Sequence, residues 1–141
     1  MERMIPKGPE PELVYEIFEE ISRIPRPSGH EEEISNWLVA FADKYHLSSV
    51  QDKKGNVLIR KAGTPGKENH LGVILQSHMD MVCEKVPESN HDFMKDPIRI
   101  SVEGDKIVAK ETTLGADNAL GLAYSLAVLT LEDVPHPPLE V

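Results

Sequence analysis

The run Leu71-Gly72-Val73-Ile74-Leu75 is apolar without alternation, and Gln76-Ser77-His78-Met79-Asp80 follows it at once. A strand with one wet face alternates apolar and polar residues, whereas a short unbroken apolar run is the pattern of a strand covered on both faces within an α/β sheet. The run is therefore expected to be a central strand, and the fold class to be α/β, a three-layer αβα arrangement around a mixed sheet. In extended backbone alternate side chains share a face, so His78 and Asp80 point one way and Met79 the other. If the strand is parallel, the pair sits beyond its C-terminal end, where open α/β sheets bind their ligands.

Upstream of this run, Leu13, Ile17, Ile21 and Ile24 recur at helical spacing, with Val14 and Phe18 widening the stripe, so a helix is expected from about Glu10 to Arg23, ended by Pro25 and Pro27. Ser28-Gly29-His30-Glu31 has the form of a capping box opening a second helix that carries Ile34, Trp37, Leu38, Phe41 and Tyr45 and runs to about Lys44. Leu47 to Gln51 and Asn56 to Arg60 flank the turn signal Asp52-Lys53-Lys54-Gly55 and predict a hairpin. Downstream, Cys83 to Pro97 shows no clean period and is expected to be a long loop, of the kind that often carries function. Ile98 to Val102 and Lys106 to Lys110 form a second expected hairpin about Glu103-Gly104-Asp105. Asn118 to Leu129 is rich in Ala and Leu and predicts a buried helix, although Gly121 weakens it by about 1 kcal/mol. Leu139-Glu140-Val141 has the look of the start of one more strand, expected to be left unpaired and so to favour self-association.

The composition bounds the function. With 141 residues, 40% of them hydrophobic and 28% charged, one unit with a genuine core is expected. No stretch approaches the roughly 20 apolar residues that cross a bilayer, and Met1-Glu2-Arg3-Met4-Ile5-Pro6 lacks the apolar run of a signal peptide. The single cysteine, Cys83, fits a reducing compartment and reads as a small buried hydrophobe. A formal charge of −9 spread along the chain argues against a phosphate-backbone partner. Cytosolic placement, with neither nucleic acid nor membrane as partner, is the expectation.

Two groups of residues could carry chemistry. His78 and Asp80 present an imidazole and a carboxylate on one surface, and a metal-bound imidazole usually has its other nitrogen held by a carboxylate. The plain alternative is an ordinary hydrogen-bonded pair at a strand end. In Thr112-Thr113-Leu114-Gly115-Ala116-Asp117-Asn118, Asp117 stands where a helix begins and is explained as an N-cap, while its two oxygens also suit a bridge between divalent cations. Of the other histidines, His30, His46, His70 and His136 are expected on the solvated surface, and His91, beside Asp92 in the long loop, could reach the same site. No G-x-S-x-G elbow, P-loop or H-E-x-x-H occurs.

Five stretches taken in order resemble the aminoacyl-histidine dipeptidases, a branch of the di-zinc metallopeptidases that includes carnosinases and aminoacylases. They are Ile24-Pro25-Arg26-Pro27-Ser28-Gly29-His30-Glu31-Glu32, Gly55-Asn56-Val57-Leu58-Ile59-Arg60, Leu75 to Val82, His91-Asp92-Phe93 with Lys95-Asp96-Pro97-Ile98, and Thr112 to Asn118. The resemblance covers nearly the whole chain and implies that residues 1–141 are the N-terminal portion of a metallopeptidase catalytic domain. It implies His78 as a ligand of one metal, Asp117 as the carboxylate bridging two, and Asp80 as the catalytic-site residue steadying the centre. It further implies two Zn2+ ions, with Co2+ or Mn2+ able to substitute, a small dipeptide as substrate, and a homodimer in the full-length protein. A Glu-Glu pair, a further Asp, a distant His and a lid domain complete such enzymes, and the chain has no counterpart for them. The resemblance therefore implies an incomplete piece, inactive alone. A non-catalytic binding module on the same scaffold, or a related tripeptidase or deacylase, are the alternatives.

Overall fold

The structure, a computed structural model, describes residues 12–141. The expected start of the first helix at Glu10, and the segment Met1 to Pro6, lie outside the described residues. Helix α1 (Glu12–Ser22) buries Val14, Ile17, Phe18 and Ile21, the stripe its spacing predicts. Helix α2 (Glu32–Lys44) buries Ile34, Leu38 and Phe41, with Trp37 and Tyr45 half-buried beside them. Strands β1 (Ser48–Gln51) and β2 (Val57–Lys61) form the expected hairpin, with Ser48 opposite Arg60 and Gln51 opposite Val57. Strands β4 (Ile100–Glu103) and β5 (Lys106–Ala109) form the second, and the segment between Cys83 and Pro97 is the expected loop.

The main sheet is mixed, in the order β1, β2, β6 (Leu139–Glu140), β3 (Val73–Ile74). Strand β6 runs antiparallel to β2 and parallel to β3. Its Glu140 receives the Arg60 guanidinium at 2.7 Å across the β2–β6 pair. Helix α3 (Ala116–Thr130) packs on α1, while α2 packs on β1 and β2. One apolar cluster joins Ile17 and Ile21 of α1, Ile34 and Leu38 of α2, Ile59 of β2 and Leu122 and Leu126 of α3.

Three expectations are corrected. The run at 71–75 is an edge strand, not a central one: among the described residues β3 pairs with β6 alone, and Leu71 and Ile74 are 93% and 71% exposed. Covering both faces and both edges requires neighbours that residues 12–141 do not supply. The last strand is not unpaired, because β6 sits between β2 and β3, and the edges of the sheet among the described residues are β1 and β3. The capping box does not form. Helix α2 begins at Glu32 behind Glu31 with no side-chain cap, Glu31 accepts from the Gly29 amide at 2.6 Å, and the Ser28 hydroxyl points elsewhere.

Candidate metal centre

Beyond the end of β3 the chain leaves regular structure, and residues 76–80 carry the first part of the site. The parallel pairing of β3 with β6 puts them at the C-terminal end of a parallel strand. His78 Nδ1 lies 3.0 Å from Asp80 Oδ1 and 3.1 Å from the Asp80 carbonyl. The two side chains therefore meet on one surface. On the other side of the ring, Nε2 lies 3.1 Å from Asp117 Oδ1, 39 residues away in sequence.

Asp117 reaches this position because it does not cap a helix. Gly115, at φ +70°, turns the chain, and Asp117 (φ −90°, ψ 104°) and Asn118 are non-helical, so the regular turns of α3 begin after them. The peptide between these two residues is cis. The Asp117 carboxylate makes no capping bond and its side chain is 94% exposed. The capping alternative is thus corrected, and the reason is local backbone geometry.

The electrostatics follow from this sandwich. An imidazole with an acceptor at each nitrogen satisfies both only as an imidazolium, or as a neutral ring whose Nε2 lone pair shares a cation with Asp117. For His78, desolvation is the largest influence and lowers its pKa, but the hydrogen bonds to Asp117 and Asp80 and the Asp80 charge together hold it above the ordinary value. Asp80 is held below the usual carboxylate range, first by the Ser28 hydroxyl, which donates to Oδ2 at 2.6 Å, and then by His78, against desolvation.

The donor set suits a divalent metal. Zinc bonds of about 2.0–2.1 Å to an imidazole nitrogen and a carboxylate oxygen at a tetrahedral angle separate those atoms by roughly 3.3 Å. The observed 3.1 Å needs almost no adjustment. Asp80 Oδ1 lies on the far side of the ring, against Nδ1, and no three-residue ligand cluster occurs among the described residues. The site is open: the His78 side chain is half exposed, and a groove of about 800 Å³ lies elsewhere, between Gly29 to Asn36 and the β1–β2 turn, lined by none of the three.

His91 does not join the site. It is buried edge-on against Phe93 at 4.6 Å, and its main chain is held by Lys85 and Ser89. His136 is buried as well, with Nδ1 2.8 Å from the Pro137 carbonyl, contrary to the expected surface position. Sequence reasoning passed over Ser28 and Arg26. The Arg26 side chain is 1% exposed and its guanidinium donates to the carbonyls of Met79, Asp80 and Gly115. The signal available for it was a long cation held between Pro25 and Pro27, where no helix can form.

No protein-family model matches the chain. It is 47% identical over 131 residues to the cytosol non-specific dipeptidase of Escherichia coli, covering 93% of this chain and 27% of that protein. The aminoacylhistidine dipeptidase of Vibrio alginolyticus superposes with a TM-score of 0.90 at 44% identity, over 94% of this chain and 27% of that one. An aminopeptidase from Bacillus cereus (TM-score 0.72) and a tripeptidase from Staphylococcus aureus (0.68), each 25% identical, match 92% of this chain and 35% of theirs. The chain thus spans about a quarter of the length of the dipeptidases it matches. Over nearly all of its own length it is similar in sequence and fold to these two dipeptidases.

Proposed function

We propose that this protein is a metal-dependent dipeptidase that hydrolyses unblocked dipeptides, among them those ending in histidine, and that residues 1–141 are the first portion of its catalytic domain. The single observation that carries the reading is the imidazole of His78 held on Nδ1 by Asp80 at 3.0 Å while Nε2 faces Asp117 at 3.1 Å. In this reading His78 and Asp117 would hold Zn2+, two ions being the full complement with Asp117 as the shared carboxylate, and Asp80 would steady the imidazole. The likeness to two named dipeptidases supports the substrate class.

The chain's own residues prepare the site. Ser28 fixes one oxygen of Asp80, and the other oxygen accepts the Nδ1 proton, so the ring presents Nε2 and is made a stronger donor. Asp117, exposed, offers its Oδ1 on the same side, 3.1 Å from Nε2. A divalent metal held by His78 and Asp117 would supply Lewis acidity toward a scissile carbonyl and a water whose pKa lies at roughly 7. Two donors do not close a coordination shell, and no third ligand joins them among the described residues.

The experiment uses the longest form of the protein that its coding sequence specifies. Hydrolysis of a dipeptide ending in histidine, lost with chelator and restored by zinc, is expected; chelator-insensitive hydrolysis overturns the reading. A tripeptidase is the second reading, favoured by the shared scaffold with the Bacillus and Staphylococcus peptidases. Faster turnover of tripeptides than dipeptides would select it. For the 141-residue chain alone, calorimetry with zinc should give weak binding, and dipeptide turnover should be negligible. Cytosolic placement is proposed on the name of the Escherichia coli relative and on the single cysteine, and no described helix is long and apolar enough to cross a membrane. A homodimer is the proposed assembly, resting on the family resemblance.

A further inference from the structure

The segments carrying His78 and Asp117 are held by neither a strand ladder nor a helix. Residues 76–80 are irregular, and Asp117 and Asn118 are non-helical. Something else must set the 3.1 Å between imidazole and carboxylate. Hydrogen bonds from Thr113 to the carbonyls of Val82 and Glu84 tie the neighbouring stretches, and one buried side chain, Arg26, hydrogen-bonds to both segments themselves. Arg26 Nη1 lies 3.4 Å from the carbonyl oxygens of Met79 and Asp80, and Nη2 donates to the Gly115 carbonyl at 3.0 Å. Its main chain is stitched to the first segment as well, the Arg26 carbonyl accepting from the Met81 amide at 3.0 Å.

We propose that Arg26 is a positioning residue: by holding the carbonyls of Met79, Asp80 and Gly115 together, its guanidinium sets the spacing of His78 and Asp117 and hence the affinity for a cation. The inference rests on the metal-site reading above. Two features of the site argue for it. The planar fork of a guanidinium can serve three carbonyls in fixed directions, which a lysine ammonium on its flexible stem cannot. Gly115 is shaped to receive it, since a Cβ there would lie 2.6 Å from Arg26 Nη2 and 2.9 Å from Met81 Sδ. Burial pulls the guanidinium pKa down to about 10, against the pull of Cys83 and Asp80, so the fork stays fully protonated at neutral pH.

The test compares Arg26→Lys and Arg26→Gln with the unsubstituted protein in its longest coded form, using zinc affinity by chelator competition and the visible spectrum of the cobalt-loaded protein. Ile34→Val, in the core contributed by α2, serves as a packing control. Both Arg26 variants should bind zinc about 10–100-fold more weakly and show an altered cobalt band, as loss of an orienting group does; Ile34→Val should do neither. Unchanged affinity and spectrum in Arg26→Lys would overturn the proposal, as would an equal loss in Ile34→Val. Should neither Arg26 variant fold, nitrogen-15 NMR of the unsubstituted protein decides. A clamped guanidinium gives separate, slowly exchanging Nη protons, and one averaged, fast-exchanging signal would refute the clamp. Failure of the unsubstituted protein to bind zinc defeats the metal-site reading and this inference with it, whereas zinc binding indifferent to Arg26 defeats the inference alone.

Discussion

Asp52 closes the β1–β2 turn by accepting from the amides of Lys54 and Asn56 at 2.8 and 2.9 Å and from the Asn56 side chain at 2.8 Å. The Asn56 side-chain bond, opposed by desolvation and joined by the backbone amides, holds its carboxyl below the usual range. A depressed folded pKa stabilises the fold above the unfolded value of about 3.9 and stops doing so as pH falls through the folded value. Asp52→Ala should therefore lower the melting temperature at pH 7, and the gap from the unsubstituted protein should shrink near pH 3. Equal gaps at both pH values would show that the carboxylate's charge is irrelevant to the turn. The turn was legible because Asp, Lys, Lys and Gly in a row announce it by local chemistry alone. Ser28 and Arg26 were not. Each matters through partners more than fifty residues away, and local rules assign a serine before Glu31 to a helix cap and an arginine between prolines to a break.

Helix α3 shows how an element can break a propensity rule for a tertiary reason. Gly121 reads as a weak point, yet a Cβ there would meet Asn118 Oδ1 at 1.9 Å, because the Asn118 amide lies over the helix where its regular turns begin. Replacing a helical glycine by alanine ordinarily gains about 1 kcal/mol. Here Gly121→Ala should destabilise the protein, since the Asn118 side chain must be displaced, while in an Asn118→Ala background the same change should recover a gain of about that size. Thermal melts of the four proteins check this, and a gain from Gly121→Ala alone would refute it. Helices and hairpins were legible from period and turn residues, which are properties of the elements themselves. The site was legible only in part: H-x-D places His78 and Asp80 together by alternation, but the approach of Asp117 depends on a turn at Gly115 that α3 propensities do not reveal.

At the scale of the whole molecule, the feature that the run at 71–75 misrepresents is its cover. An apolar parallel strand is expected to be buried on both faces, whereas Val73 and Ile74 are 42% and 71% exposed and one edge of β3 has no partner among the described residues. Val82 is 70% exposed too. Unpaired amides and carbonyls beside apolar side chains form a template for another strand. The opposite edge is β1, whose sequence Ser-Ser-Val-Gln offers a single exposed apolar residue, Val50. The self-association expected of an unpaired last strand is therefore assigned to β3. Light scattering of the 141-residue chain should show mass rising with concentration, and Ile74→Lys should return it to a monomer because a charge at that edge cannot be buried against a second copy. Val50→Lys, on the polar edge, should leave the association as it is. A chain that stays monomeric throughout, or associates equally with lysine at position 74, would mean that the open edge of β3 does not govern how this molecule meets its neighbours.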